Sequence, residues 1–278
     1  MDVAITNGVR PGVTKRSISL RSGLDTTTQP SLARGAIEVA IVGDISEEEA
    51  IRLVAKTFAA LPAREPAPTK QAFDKPAVFR ADKTPIVLTH AGEANQALAQ
   101  VIWPVTDVDP DEDPQTARTL VILAAVMRLK VTDEVREVLG ATYSPTAGVS
   151  LSSSYKGFGY VSASAEVKPE DVDRVIAALE GIAAKMRAGE ISDDEFSRAI
   201  TPSLEALPQN ATSNGYWLGL IAQAQSRPDL MERSKLPAVE ASLRALTKAD
   251  VVAAAQRWLT EAAQQEARVI PAAKPAGE

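Results

Sequence analysis

The run Arg136-Glu137-Val138-Leu139-Gly140-Ala141-Thr142-Tyr143 places an arginine and a tyrosine seven residues apart, on either side of a helix stop. Gly140 readily takes the left-handed conformation that a helix terminus needs, so it ends an amphipathic helix carrying Val135, Val138 and Leu139 on one face. After Gly140 the chain is free to turn back as a strand. Arg136 then projects from the last helical turn and Tyr143 from the start of that strand, and both can reach one point in space. Two neutral or cationic donors aimed at one point suit a carbonyl oxygen. The spacing also fits a plainer account, in which Asp133 and Arg136 form a solvated i,i+3 ion pair and Tyr143 is an ordinary strand aromatic.

Composition bounds what surrounds the pair. A chain of 278 residues, 45% hydrophobic and 24% charged, is long enough for one large domain or two smaller ones. Its net charge of -6 and scattered Lys and Arg argue against a nucleic-acid or anionic-membrane surface. With no cysteine there is no disulfide, thiol nucleophile or cysteine-bound zinc, and either redox compartment fits. The apolar run Leu120 to Met127 falls far short of the roughly 20 residues that span a bilayer. Asp2 and the Thr/Gly/Arg-rich stretch behind Met1 lack the apolar core of a signal peptide, so none is expected.

The elements that must position Arg136 and Tyr143 follow from periodicity and stop signals. Residues 1–35 read as loop or a loosely held edge. Ala36 to Val42 is a β-branched run expected to form a buried strand, broken at Gly43-Asp44. Ser46 and Glu49 form a capping box that opens a helix through Phe58. Prolines 62, 66, 68 and 76 mark a linker or extended crossing. Thr84–Thr89 and Gln96–Trp103 read as two strands joined by the Gly92 turn. A helix is expected from Pro114 to Leu139, buried all round between Leu120 and Met127. Tyr143–Ser152 and Gly159–Val167 alternate as a hairpin, and Pro169 opens a helix to about Arg187. Capping boxes at Ser192/Glu195 and Thr247/Asp250 open helices ending near Leu207 and Leu259, and Gln265–Ile270 is a last strand. Hairpins with paired helices imply an α+β fold, an antiparallel or mixed sheet with helices packed on one face.

Other candidates for chemistry are poorer. His90, the single histidine, has no G-x-S-x-G elbow to partner. His90-Ala91-Gly92-Glu93-Ala94 lacks the second histidine of H-x-x-E-H, and Gly92 between two strands opposes the helix that motif needs. Asp107, Asp109, Asp111, Glu112 and Asp113 lack calcium-loop spacing and read as a solvated acidic loop. Gly157-Phe158-Gly159-Tyr160 lacks the third glycine and the helix of a phosphate loop. Asn214, Tyr216 and Trp217 lie near a helix start, where aromatics are more often core, as Trp103 and Trp258 are expected to be. Glu137 serves at most to orient Arg136.

The run from Arg128 through Arg136-Glu137-x-Leu139-Gly140-x-x-Tyr143-Ser144-Pro145 resembles the second-half motif of the pitrilysin/insulinase group of zinc metallopeptidases, the inverzincins. Three segments agree in order: Gly35-x-Ile37-Glu38-Val39-x-Ile41-Val42-Gly43-Asp44 with the helix ending at Pro62, Thr89-His90-x-Gly92-x-x-Asn95-Gln96, and Gly189-Glu190-Ile191-Ser192-x-x-Glu195-Phe196. Together they cover most of residues 35–271. Val135 stands where the family usually has leucine, a packing-neutral exchange.

The resemblance implies a LuxS/MPP-like metallopeptidase-type domain. Residues 1–62 would end a preceding α+β domain, 63–78 would be a Pro-rich linker, 79–271 the C-terminal α+β domain and 272–278 a tail. It implies the substrate-binding half that lacks zinc, in an enzyme that cleaves unstructured peptides. Arg136 and Tyr143 would be its catalytic and substrate-binding residues, holding the peptide backbone and the tetrahedral intermediate. Without H-x-x-E-H the chain alone is expected to be inactive and to carry no cofactor. Zinc would lie in a partner, either an N-terminal half or a homologous subunit, and the start at Met1 implies a shortened chain or a separately encoded subunit. No nucleic acid or membrane is expected as partner. The Tyr-Ser-Pro variant is shared with periplasmic relatives, with a cytoplasmic location as the alternative. A non-catalytic structural or assembly subunit of the same family, or an α+β ligand-binding module with no proteolytic role, are the competing readings.

Overall fold

The computed structural model describes residues 33–65, 77–139, 145–153, 155–221 and 235–272, with the backbone alone for 136–139. The chain divides into two compact units, residues 1–70 and 71–278.

In the first unit, helix α1 spans Glu47–Lys56 and a single 3₁₀ turn follows at Phe58–Ala60. Ser46 caps α1 by accepting from the Glu49 N–H at 3.2 Å. The reciprocal half of the expected capping box is not made, because the Glu49 carboxylate turns to the Arg52 guanidinium, 2.6 Å from its Nε. The strand expected over residues 36–42 is not formed among the described residues. A strand exists only with a neighbour to pair with, and no other strand lies in the described part of this unit.

The second unit is a five-stranded mixed sheet under a layer of helices. Strands β1 (Ile86–His90), β2 (Ala97–Val105), β3 (Thr146–Leu151), β4 (Gly159–Val167) and β5 (Gln265–Pro271) lie in the order β1-β5-β2-β4-β3. β3 and β4 form the expected antiparallel hairpin, with Ala147 opposite Ala163. β1 and β2, which the sequence joins by one turn, are not neighbours. β5 enters between them, parallel to β1 and antiparallel to β2. Pro104 lies past the last β5 partner, Gln265 opposite Ile102, where β2 is paired on one side only and a missing N–H is tolerated.

Burial alternates along β2 and β4, so Ala99, Val101, Trp103 and Val105 share a covered face with Val161, Ala163 and Ala165. Helix α2 (Pro114–Leu139) lies in this layer with α3 (Val172–Arg187), α4 (Asp193–Ala211) and α7 (Lys248–Trp258). Leu120, Ile122, Leu123, Val126, Met127, Val131 and Val135 of α2 join Leu179, Ile182 and Met186 of α3 in one core. α2 is not buried all round as expected, because Val121 is 48% exposed and Arg128 is exposed beside it on the same line. The neighbouring helices cover the rest of its circumference and leave that line open.

The capping boxes at Ser192/Glu195 and Thr247/Asp250 are both complete. α4 runs past Leu207 to Ala211, crossing Pro202 and Pro208, each of which forfeits one backbone donor. Two shorter helices follow, α5 (Asn214–Ile221) and α6 (Leu236–Arg244), and α6 had no expectation in the sequence. Trp103 and Trp258 are buried as expected, whereas Tyr216 and Trp217 on α5 are only half-buried. Trp217 instead donates its indole N–H to the Ala211 carbonyl at 2.9 Å, tying α5 to the end of α4.

Leu179 is fully buried where α3 meets the core. Leu179→Ala is expected to cost ~2–5 kcal/mol, a Tm drop of roughly 5–20 °C for a unit of this size. Val121→Ala on the open line of α2 should change Tm by less than about 2 °C, and circular-dichroism melts of the two variants check the contrast.

Candidate functional site

The Arg136 backbone lies in the last turn of α2, which ends at Leu139. Its side chain and the whole of Tyr143, and with them the expected convergence of the two, fall outside the described residues. The elements on either side are described. Val135, one residue before Arg136, is buried in the core. Strand β3 begins at Thr146, three residues beyond Tyr143, and packs beside α2. β3 is the outermost strand on its side of the sheet, and β4 is its partner on the other side. Thr146 and Ser150 are exposed along it.

His90 holds a turn. Its Nδ1 accepts the Gly92 N–H at 3.0 Å and its Nε2 lies 2.9 Å from the Gln96 carbonyl. An Nδ1 that accepts leaves the proton on Nε2, which donates to Gln96, so neither nitrogen is left for a metal. Among the described residues no group of three or more His, Cys, Asp or Glu side chains could hold a metal ion.

The acidic loop is less solvated than expected. Asp109 is buried and accepts from the Asp111 N–H at 2.9 Å, and Asp113 accepts from the Thr116 N–H at 3.0 Å, capping α2 just before Pro114. Asp107 accepts the Trp258 indole N–H at 2.8 Å and pairs with Arg257, whose guanidinium lies 4.6 Å over the Trp258 ring. These carboxylates build the connection from β2 into α2, which explains their density without a ligand.

Beyond that connection is a cleft of about 590 Å³, lined among others by Phe79, Arg80, Asp107, Lys156, Arg257 and Trp258. Phe79 stacks on Phe158 with ring centres 4.8 Å apart and meets Tyr160 edge-on, and the Arg80 carbonyl accepts from Gln265 at 2.9 Å. Gly157 closes the wall at φ +70, where a Cβ would lie 2.5 Å from the Thr106 carbonyl oxygen, so only glycine fits. Three of the cations along the cleft have carboxylate partners, Asp82 for Arg80, Glu112 for Lys156 and Asp107 for Arg257, and Lys83 donates to the Ala263 carbonyl at 2.9 Å. Phe79 and the Lys156-Gly157 loop were not foreseen as a wall, and the one sequence signal for it is a glycine between Lys156 and Phe158.

Comparisons with known proteins place this geometry. The family model described as peptidase M16 inactive domain matches residues 33–202. A curated relative, the chloroplastic stromal processing peptidase of Oryza sativa subsp. indica, is 29% identical over 108 residues, 39% of this chain and 9% of that protein. Among solved structures, a conserved protein from Enterococcus faecalis V583 superposes with a TM-score of 0.69 at 16% identity, over 91% of this chain and 56% of its own. The periplasmic protease PqqL from Escherichia coli gives 0.58 at 17% identity, over 83% of this chain and 25% of its own. The chain thus spans a part of each of these proteins. No described helix is long and apolar enough to cross a membrane.

Partial burial pushes the Asp107 carboxyl up, but the bonds from Trp258 and Arg257 outweigh it and hold the group below the ordinary carboxylate range. A carboxylate held low in the fold contributes stability that is complete above its unfolded value of about 3.9 and lost as pH falls through the lower folded value. Asp107→Asn is therefore expected to melt below the parent at pH 7, with the gap narrowing as pH falls from about 4 toward 2. Melting curves of both proteins across that range measure it, and a gap independent of pH would contradict the assignment.

Proposed function

Since the chain belongs to the peptidase M16 inactive-domain family, we propose that it is the substrate-binding half, without zinc, of a metallopeptidase that cleaves unstructured peptides. The observation that carries this reading is that β3, an outermost strand, packs beside α2, the helix that carries Arg136 in its last turn. An extended peptide laid along such an edge gains main-chain hydrogen bonds with little sequence preference, which suits unfolded substrates. Arg136 binds a backbone carbonyl through more than one N–H. Tyr143 donates its phenolic proton, held at neutral pH because phenol titrates near about 10.

The role of the pair is electrostatic. As a peptide carbonyl becomes tetrahedral its oxygen gains negative charge, and donors fixed in advance stabilise that charge more than they stabilise the flat ground state. The metal and the attacking water come from a partner, a zinc-binding half or a homologous subunit, since a chain with a single histidine has no H-x-x-E-H. Periplasmic residence of the assembled enzyme is part of the same proposal, supported by the likeness to PqqL.

The test mixes the full chain with a zinc-binding half and follows cleavage of a fluorogenic unstructured peptide. Tyr143→Phe is expected to lower kcat by about 10²–10³ with KM little changed. Unchanged cleavage would remove Tyr143 from the mechanism, and absence of activity in every mixture would favour a structural or assembly subunit.

A further inference from the structure

Two ion pairs reach the end of α2 from two different helices. Lys130 lies 2.7 Å from Glu195, at the first turn of α4, with side chains 14% and 23% exposed. Glu134 accepts Lys185, from α3, on both carboxylate oxygens at 3.0 Å. Lys130 and Glu134 are one turn apart on one face of α2, next to the buried Val131 and Val135. We propose that these pairs form a positioning clamp that fixes the last two turns of α2, and with them Arg136, against the helix layer; the inference rests on the reading of Arg136 as a substrate-binding residue.

Apolar packing is non-directional, so Val131 and Val135 hold the helix down while leaving it free to slip along its axis or roll. Charge-assisted bonds are directional and resist both. Glu195 is suited to this because it is itself fixed: its Oε2 takes the Ser192 N–H at 2.7 Å and the Ser192 hydroxyl at 3.0 Å, which leaves Oε1 for Lys130. Lys130 therefore grips the rigid start of α4. At 100° per residue Arg136 lies about 200° round the axis from Glu134, on the opposite side. A roll of the clamped face thus swings the arginine through the same angle. Glu195 belongs to the segment Gly189 to Phe196, whose function in the sequence is otherwise only to open a helix.

Hydrogen exchange on the full chain separates a clamp from a general stabilising contact. With Lys130→Met or Lys185→Met, the backbone amides of residues 131–139 are expected to exchange about tenfold faster, while those of 120–127 stay within about twofold. The reversal Glu134→Lys with Lys185→Glu should restore the parent rates. Binding of a fluorescein-labelled unstructured casein peptide, read by anisotropy, should weaken about three- to tenfold in the clamp variants, and not at all when Arg136→Ala is already present. Unchanged exchange at 131–139, exchange raised evenly along the chain, or equal weakening with and without Arg136 would each overturn the clamp. If Arg136→Ala alone leaves binding intact, the substrate-binding reading fails, and the exchange rates still decide whether the pairs hold the helix end.

Discussion

Burial of one helix is the constraint around which the second unit is arranged. Leu120, Ile122, Leu123, Val126, Met127, Val131 and Val135 put most of the described large apolar side chains of α2 out of water, and each is worth about 1.5–3 kcal/mol of transfer free energy. No single layer can cover so wide a stripe, so the sheet lies beneath it and α3, α4 and α7 close round its sides. The helix enters this layer capped by Asp113, and Val135, the last of its residues whose side chain is described, is still buried. The Arg136 backbone follows directly on this tightly held stretch of the rod.

The sheet is completed by the last of the described strands. β5 pairs with β1 on one side and β2 on the other, so residues 86–90 and 97–102 are joined through residues 265–271. This long-range insertion ties the start of the domain to its end and makes its folding depend on distant contacts. At the far end of the sheet β3 is outermost, paired with β4 alone. Exposed edges invite unwanted pairing, and β3 is short, with Thr146, Gly148 and Ser150 turned from the buried face. Polar and small residues let an edge accept a transient peptide strand without making it sticky in water.

What was legible in the sequence was local. The caps at Ser192 and Thr247 and the stop at Arg187 depend on side chains within one turn of the backbone they satisfy, and each appears where its residues predict. The β3–β4 hairpin likewise joins neighbours in sequence. The insertion of β5 was not legible, because nothing in Gln265–Ile270 marks which strands it will separate. Val121 misled for a related reason: apolar periodicity shows which residues prefer burial, while exposure depends on which helices arrive to cover them. The acidic loop misled because Asp109 and Asp113 bond to backbone N–H groups two and three residues on, a local function that looks like surplus charge when only composition is counted. For the Arg136/Tyr143 pair the sequence remains the main source, with the fold supplying the helix exit and the strand edge that flank it.

The proposed substrate role of Arg136 competes with a plainer one. A cation in the last turn of a helix is favoured by the partial negative charge of the unpaired carbonyls, worth roughly 0.3–1 kcal/mol at an exposed end. That alone would select lysine or arginine there with no function attached. Tyr143 gains nothing from the helix dipole, since a neutral phenol beyond the stop has no charge to offer it. A tyrosine in that position is therefore the better discriminator between a peptide-holding site and an ordinary helix end. The choice of arginine over lysine points the same way, because the dipole asks only for charge, whereas a planar fork of several N–H groups suits a carbonyl on an extended backbone.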